Sequence, residues 1–344
     1  MTVHDSLITT IGGTPLVRLG KLFDGAGFDV YAKLEMLNPG GSLKDRSARE
    51  MLLAAVREGK VGPGSTVVES SSGNLAIGLA QLCNLIGCRF ICVIDPRTTM
   101  ANRRILQAYG ARLDLVEKPD PATGEYVPAR LARVRRWLRK LPGAYWPNQY
   151  ANENNAYAHQ HTTMAEIVSD LPRVDYLLCG VSTCGTLRGC IDYVRLNGMQ
   201  TKVVAVDALG SLIFDKNSRD DTVERLLPGL GAGRRPELCP PEGEGIHAVV
   251  YVSDRDCVEA CRSLVREEGI LAGGSSGGII AAVEQFRERI EPGAVCVVVL
   301  PDRGERYLDT VYSDEWVLEK FGLSFSATIR AGRRKRDGLR LKEE

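Results

Sequence analysis

The chain has 344 residues, with 44 Lys plus Arg against 43 Asp plus Glu, so no charge excess points to nucleic acid or a membrane surface. It is long enough for two domains with a large core, and it holds no apolar stretch that could span a bilayer and no basic start followed by an apolar run. These features predict a soluble, cytoplasmic protein.

The ten cysteines, at 83, 88, 92, 179, 184, 190, 239, 257, 261 and 296, form no C-x-x-C pair, and most sit in apolar runs. They read as small buried hydrophobes in a reducing compartment. The four histidines add no metal-ligand spacing, so no metal is expected.

In chain order, residues 11–19 read as a turn entering a short strand, and 30–35 as a second strand. Next comes Asn38-Pro-Gly-Gly-Ser-Leu-Lys44-Asp-Arg46. Pro39 removes a donor and Gly40-Gly41 permit a tight turn, while Ser42 or Asp45 is expected to cap a following helix. Lys44 then stands at a helix start, where the dipole disfavours a second positive charge. A depressed pKa would make its amine nucleophilic and able to form an imine with a carbonyl.

A repeated unit follows: short apolar strand, polar loop, amphipathic helix, glycine stop. Strands are predicted at about 66–69, 89–94 and 112–116, and helices at about 74–86, 100–109 and 127–140. Residues 142–147 interrupt the pattern, and a second set begins. Its strands fall at about 176–179, 202–206, 248–252 and 295–300, and its helices at about 153–169, 254–268 and 276–289. The alternation predicts an α/β protein of two lobes, each a mainly parallel twisted sheet with helices on both faces. Residues 326–344, rich in Arg and Lys, read as a disordered, solvated basic tail.

Several loops carry more polar groups than a helix cap needs. Ser70-Ser-Ser-Gly-Asn-Leu75 and Ser182-Thr-Cys-Gly-Thr186 each open a helix, where unpaired N–H groups bind anions. Gly273-Gly-Ser-Ser-Gly-Gly278 opens a third, and 147–155 is a polar run between the lobes. Gly229-Leu-Gly-Ala-Gly233 is rejected as a dinucleotide fingerprint, since no clear strand precedes it and Arg234 takes the place of the third glycine.

In this order, the motifs resemble those of the cysteine synthase / cystathionine β-synthase family of pyridoxal phosphate (PLP) enzymes, from Ile11 to about Thr310. The resemblance implies fold type II, with lobes at 1–150 and 151–325 and a segment of about 13–35 crossing to the second lobe. It implies that Lys44 holds PLP covalently and that Asn74 faces the cofactor's phenolic oxygen. Ser182, Thr183, Cys184, Gly185 and Thr186 match the family's phosphate loop G-T-G-G-T, with Ser182 and Cys184 in place of glycines. Backbone donors survive those exchanges provided neither position needs positive φ. Ser275 matches the serine at the pyridine nitrogen. Ser71, Ser72, Gly73 and Gln149 match the substrate-carboxylate residues, although Leu75 departs from the threonine of the sulfhydrylases. A homodimer is the family's usual form.

Three stretches, 69–74, 149–154 and 300–307, resemble the siderophore-pathway branch most. Its members join O-phosphoserine to glutamate by β-replacement on the way to 2,3-diaminopropionate. Glutamate brings two carboxylates, and Gln149, Tyr150, Asn152 and Asn154, with Arg130 as a guanidinium clamp, are the expected partners. The alternatives are a cysteine synthase or a non-catalytic PLP-fold binding protein.

Overall fold

In the computed structural model, residues 3–214, 225–241 and 244–324 are described. The basic tail expected at 326–344 lies outside them. The first part of the chain forms β1 (Leu16–Arg18), β2 (Asp29–Leu34), α1 (Lys44–Arg57), β3 (Thr66–Ser70), α2 (Asn74–Ile86), β4 (Arg89–Ile94), α3 (Met100–Ala108), β5 (Arg112–Leu115) and α4 (Tyr126–Lys140). Then come α5 (Glu153–Ala158), α6 (Ala165–Asp170), β6 (Tyr176–Gly180), α7 (Gly185–Leu196), β7 (Lys202–Ala208) and β8 (Ile246–Val252). The chain continues through α8 (Asp254–Glu268), α9 (Gly274–Phe286), β9 (Val295–Leu300) and α10 (Asp314–Phe321).

The strands form two sheets. One is parallel, in the order β3-β4-β5; the other has the order β1-β2-β9-β6-β7-β8, parallel apart from the antiparallel pair β1/β2. The segment that holds β1 and β2 therefore belongs to the second sheet, with Asp29–Leu34 in register against Val295–Leu300.

Side-chain alternation explains why helices cover both faces. In β6, Tyr176 and Leu178 join one core cluster with α8 and α9, while Leu177 and Cys179 join another with α7. In β4, Phe90, Cys92 and Ile94 pack toward α1 and α2, while Ile91 and Val93 pack toward α4. A strand buried on both faces must be apolar at every position, which is why these runs read as continuous. All ten cysteines are buried and free. No described helix is long and apolar enough to cross a membrane.

The helical stretch predicted over 153–169 is α5, a π-helical turn at His159–Met164, and α6. The wide turn carries His159 into the interior, where it contacts the Ser47 and Thr186 hydroxyls at 3.2 and 3.3 Å. Burial, with the Lys44 and Arg46 charges nearby, holds its imidazole well below its ordinary pKa.

Candidate active site

The carboxyl ends of β3, β4, β6 and β9 open toward one cavity of about 210 Å³, as parallel sheets direct them to. Lys44, Ser71, Ser72, Gly73, Asn74, Arg130, Gln149, Tyr150, Ser182–Thr186 and Ser275 all line it. These residues, expected from separate stretches of the sequence, are thus brought to one place. Asn152 and Asn154 are not. Asn152 caps α5 by accepting from the Asn154 N–H at 3.0 Å, and its own amide donates to the Pro147 carbonyl.

Lys44 is the first residue of α1, and the N-cap position falls on Leu43, whose side chain makes no capping bond. Asp45 instead turns back and accepts from the Gly40 N–H at 2.5 Å, and Ser42 accepts from the Lys44 N–H at 3.2 Å. The acid thus closes the Asn38–Lys44 loop, and Gly41, at φ +85°, makes the turn that allows it. Burial pulls the Lys44 amine down to about 8, against the opposing pull of the Asp302 carboxylate.

Gly73 precedes α2 without a side-chain cap, and the Ser71 hydroxyl accepts from the Ala76 N–H at 3.2 Å. The Asn74 amide is fixed at both ends. It donates to Asp302 at 2.8 Å and accepts from Arg306, which also donates to the Gly40 carbonyl. Tyr307 donates to the same Asp302 oxygen at 2.7 Å. Asp302, Tyr307 and Arg306 line the cavity, and sequence reasoning assigned them no role. Their signal was position: they follow β9 immediately, as the other site loops follow their strands.

The loop before α7 departs from expectation at one position. Cys184 is the N-cap of α7 and sits at φ +64°, so this site does require the left-handed region that glycine favours. The thiol is buried in the core beneath the loop, a packing role. Thr183 and Thr186 are buried beside it, and the Asn155 amide donates to the Thr183 hydroxyl at 3.3 Å. Ser275 stands in the first turn of α9 and is buried.

The donor set fits a phosphate-bearing aldehyde. A lysine with a lowered pKa supplies an attachment point, and the amino-terminal turn of α7 with its hydroxyls supplies an anion cradle.

Arg130 differs from the rest of its helix. The helix's other basic residues are exposed (Arg135, Arg136, Arg139 and Lys140) or half-buried (Arg133), whereas Arg130 is 6% exposed. Asp95 stands 3.3 Å from its Nε, yet Nε and Nη1 have no hydrogen-bond partner among the described residues. An unsatisfied buried guanidinium is costly unless something else completes it.

The comparisons with known proteins agree with this geometry. The chain is 46% identical over 316 residues, 92% of its length and 91% of the relative, to N-(2-amino-2-carboxyethyl)-L-glutamate synthase of Ralstonia nicotianae. The crystal structure of O-ureido-L-serine synthase matches with a TM-score of 0.83 at 30% identity, over 96% of this chain and 100% of that one. A hydrogen sulfide-producing enzyme from Fusobacterium nucleatum matches at 0.81 and 30% identity, over 90% and 99% of the two chains. With residues 7–302 matching the family described as pyridoxal-phosphate dependent enzyme, the chain belongs to that family, in fold type II, and is a PLP-dependent enzyme of β-replacement.

Proposed function

We propose that the enzyme joins O-phospho-L-serine and L-glutamate to give N-(2-amino-2-carboxyethyl)-L-glutamate, a precursor of 2,3-diaminopropionate in siderophore or related biosynthesis. The observation that carries the reading is Arg130, a buried guanidinium with unsatisfied donors in the cavity wall. Sulfide, the nucleophile of the alternative, has no carboxylate to meet it. Glutamate does. The activity named for the 46% identical relative supports the same reading.

Lys44 would hold the cofactor covalently, Ser182–Thr186 its phosphate, Asn74 its phenolic oxygen and Ser275 its pyridine nitrogen. Bound there, PLP supplies an electron sink for the substrate's α-carbon. Ser71, Ser72, Gly73 and Gln149 would orient the substrate carboxylate. Lys44 takes the α-proton at Nζ and returns it after the new bond forms. Overall the Cβ–O bond breaks, phosphate leaves with the electron pair, and a Cβ–N bond forms. The proton displaced from the glutamate ammonium is balanced by the hydrogenphosphate released. A neutral Ser275 hydroxyl, unlike a carboxylate, would not hold a proton on the cofactor's ring nitrogen, which would favour elimination. A homodimer is the form that family resemblance suggests.

The test incubates the enzyme with O-phosphoserine or O-acetylserine, each with glutamate or sulfide, and identifies products by mass spectrometry. The expected result is the glutamate adduct from O-phosphoserine. Efficient cysteine formation with no glutamate adduct moves the assignment to cysteine synthase. Arg130→Gln should lower kcat/KM for glutamate roughly 10- to 100-fold, since it removes a charge-assisted contact.

A further inference from the structure

A second guanidinium belongs to the same wall. Arg97 lies in the turn between β4 and α3, exposed to solvent and lining the cavity, so it stands where the cavity meets bulk water. Asp95 touches both residues. One of its oxygens accepts from the Arg97 main-chain N–H at 2.9 Å, which fixes the turn that presents the side chain, and the other faces Arg130 Nε at 3.3 Å. Bonds between Asp95 and Thr98 close the turn, at 3.1 Å between main chains and 3.4 Å to the Thr98 hydroxyl. The Arg97 guanidinium rests over the Tyr126 ring, 5.3 Å from its centre. Among the described residues it makes no ion pair. Two cations at different depths along one cavity wall, one buried and one at the solvent edge, suit a ligand with two anionic groups.

Glutamate has that shape. Its α-carboxylate is two bonds from the attacking nitrogen and its side-chain carboxylate is four, so the first lies deeper than the second when the amine reaches the reacting carbon. We propose that Arg97 is a specificity-determining residue that binds the side-chain carboxylate of the incoming amino acid, while Arg130 takes the nearer one. This rests on the glutamate reading above and deepens it. The other anion available is the leaving phosphate, and its binding would show in the kinetics of O-phosphoserine instead.

The experiment compares wild type, Arg97→Gln and Arg97→Lys, with O-phosphoserine as first substrate and glutamate or the uncharged isostere glutamine as nucleophile. Arg97→Gln should raise the KM for glutamate on the order of tenfold, with much smaller changes in kcat and in the KM for O-phosphoserine. It should leave the KM for glutamine nearly where it was, so the preference for glutamate collapses. Arg97→Lys should recover part of the loss. Absorbance of the bound cofactor in each variant checks that the site remains assembled. An equal loss for glutamate and glutamine, or a change confined to O-phosphoserine, overturns the assignment of Arg97 and leaves the proposed function standing. Failure of wild type to form any glutamate adduct overturns both.

Discussion

At the scale of single residues, Lys44 has the most to do and the clearest titration. Only the neutral amine attacks an aldehyde, and burial has already lowered its pKa from 10.5 to about 8. Because the pKa is lowered, the reactive form gains population as pH rises toward 8 and saturates above it. The rate at which PLP attaches to the cofactor-free protein should therefore climb about tenfold per pH unit below 8 and level off beyond it. Mixing experiments followed by the absorbance of the bound cofactor read this directly. A rise continuing to pH 10 would show that the cavity does not depress the amine. Borohydride reduction and mass spectrometry should place the cofactor on Lys44, and Lys44→Ala should carry none.

At the scale of elements, the phosphate loop shows where the sequence speaks and where it stops. Three loops, at 38–46, 70–75 and 182–186, could be found as polar junctions between an apolar strand and a helix, because parallel strands send their carboxyl ends to one side of each sheet. The residues that join them could not. Asn74 meets Asp302 across 228 positions, a pairing set by the crossover of β2 beside β9 and by nothing local. The π-turn at His159–Met164 was equally hidden, since one wide turn leaves the apolar periodicity around it nearly intact. Cys184 was visible as a missing glycine, but its left-handed backbone was not. That conformation costs a non-glycine residue roughly 1–3 kcal/mol, offset here by burial of the thiol in the core. Cys184→Gly exchanges strain relief for lost packing and should change stability by less than about 1 kcal/mol. Cys184→Val adds a branched Cβ at positive φ and should cost about 2–4 kcal/mol and weaken cofactor binding. Urea unfolding and PLP titration of the two variants decide it, and equal stability would mean that the loop relaxes out of the left-handed region.

At the scale of the whole molecule, one side chain ties the first sheet's helices to the second sheet. Arg46, on α1, is fully buried and donates from Nε and Nη2 to Glu35 at 2.7 and 2.8 Å. Its Nη1 and Nη2 reach Glu166 of α6 at 2.6 and 2.7 Å. Glu35 follows β2, and Lys33 of that strand pairs with Glu166 at 2.8 Å. The helix that begins with Lys44 is thereby fixed against the sheet whose loops carry Ser275 and the phosphate cradle. Buried ion networks contribute little over an apolar replacement, but removing one partner strands the others. Arg46→Met should therefore destabilise by about 3–5 kcal/mol, because the Glu35 carboxylate is left buried without its cation. Glu166 gives the network a pH signature. Burial pushes its carboxyl up, but the bonds from Arg46 and Lys33 outweigh this and hold it at about 2, below the ordinary 4.5. A carboxyl lowered by folding contributes stability above 4.5 that disappears as pH falls toward 2. Wild type should thus lose stability steeply across that window in urea titrations at fixed ionic strength. Glu166→Gln should start lower and show a shallower acid slope, and a variant whose slope matched wild type would remove Glu166 from the cause.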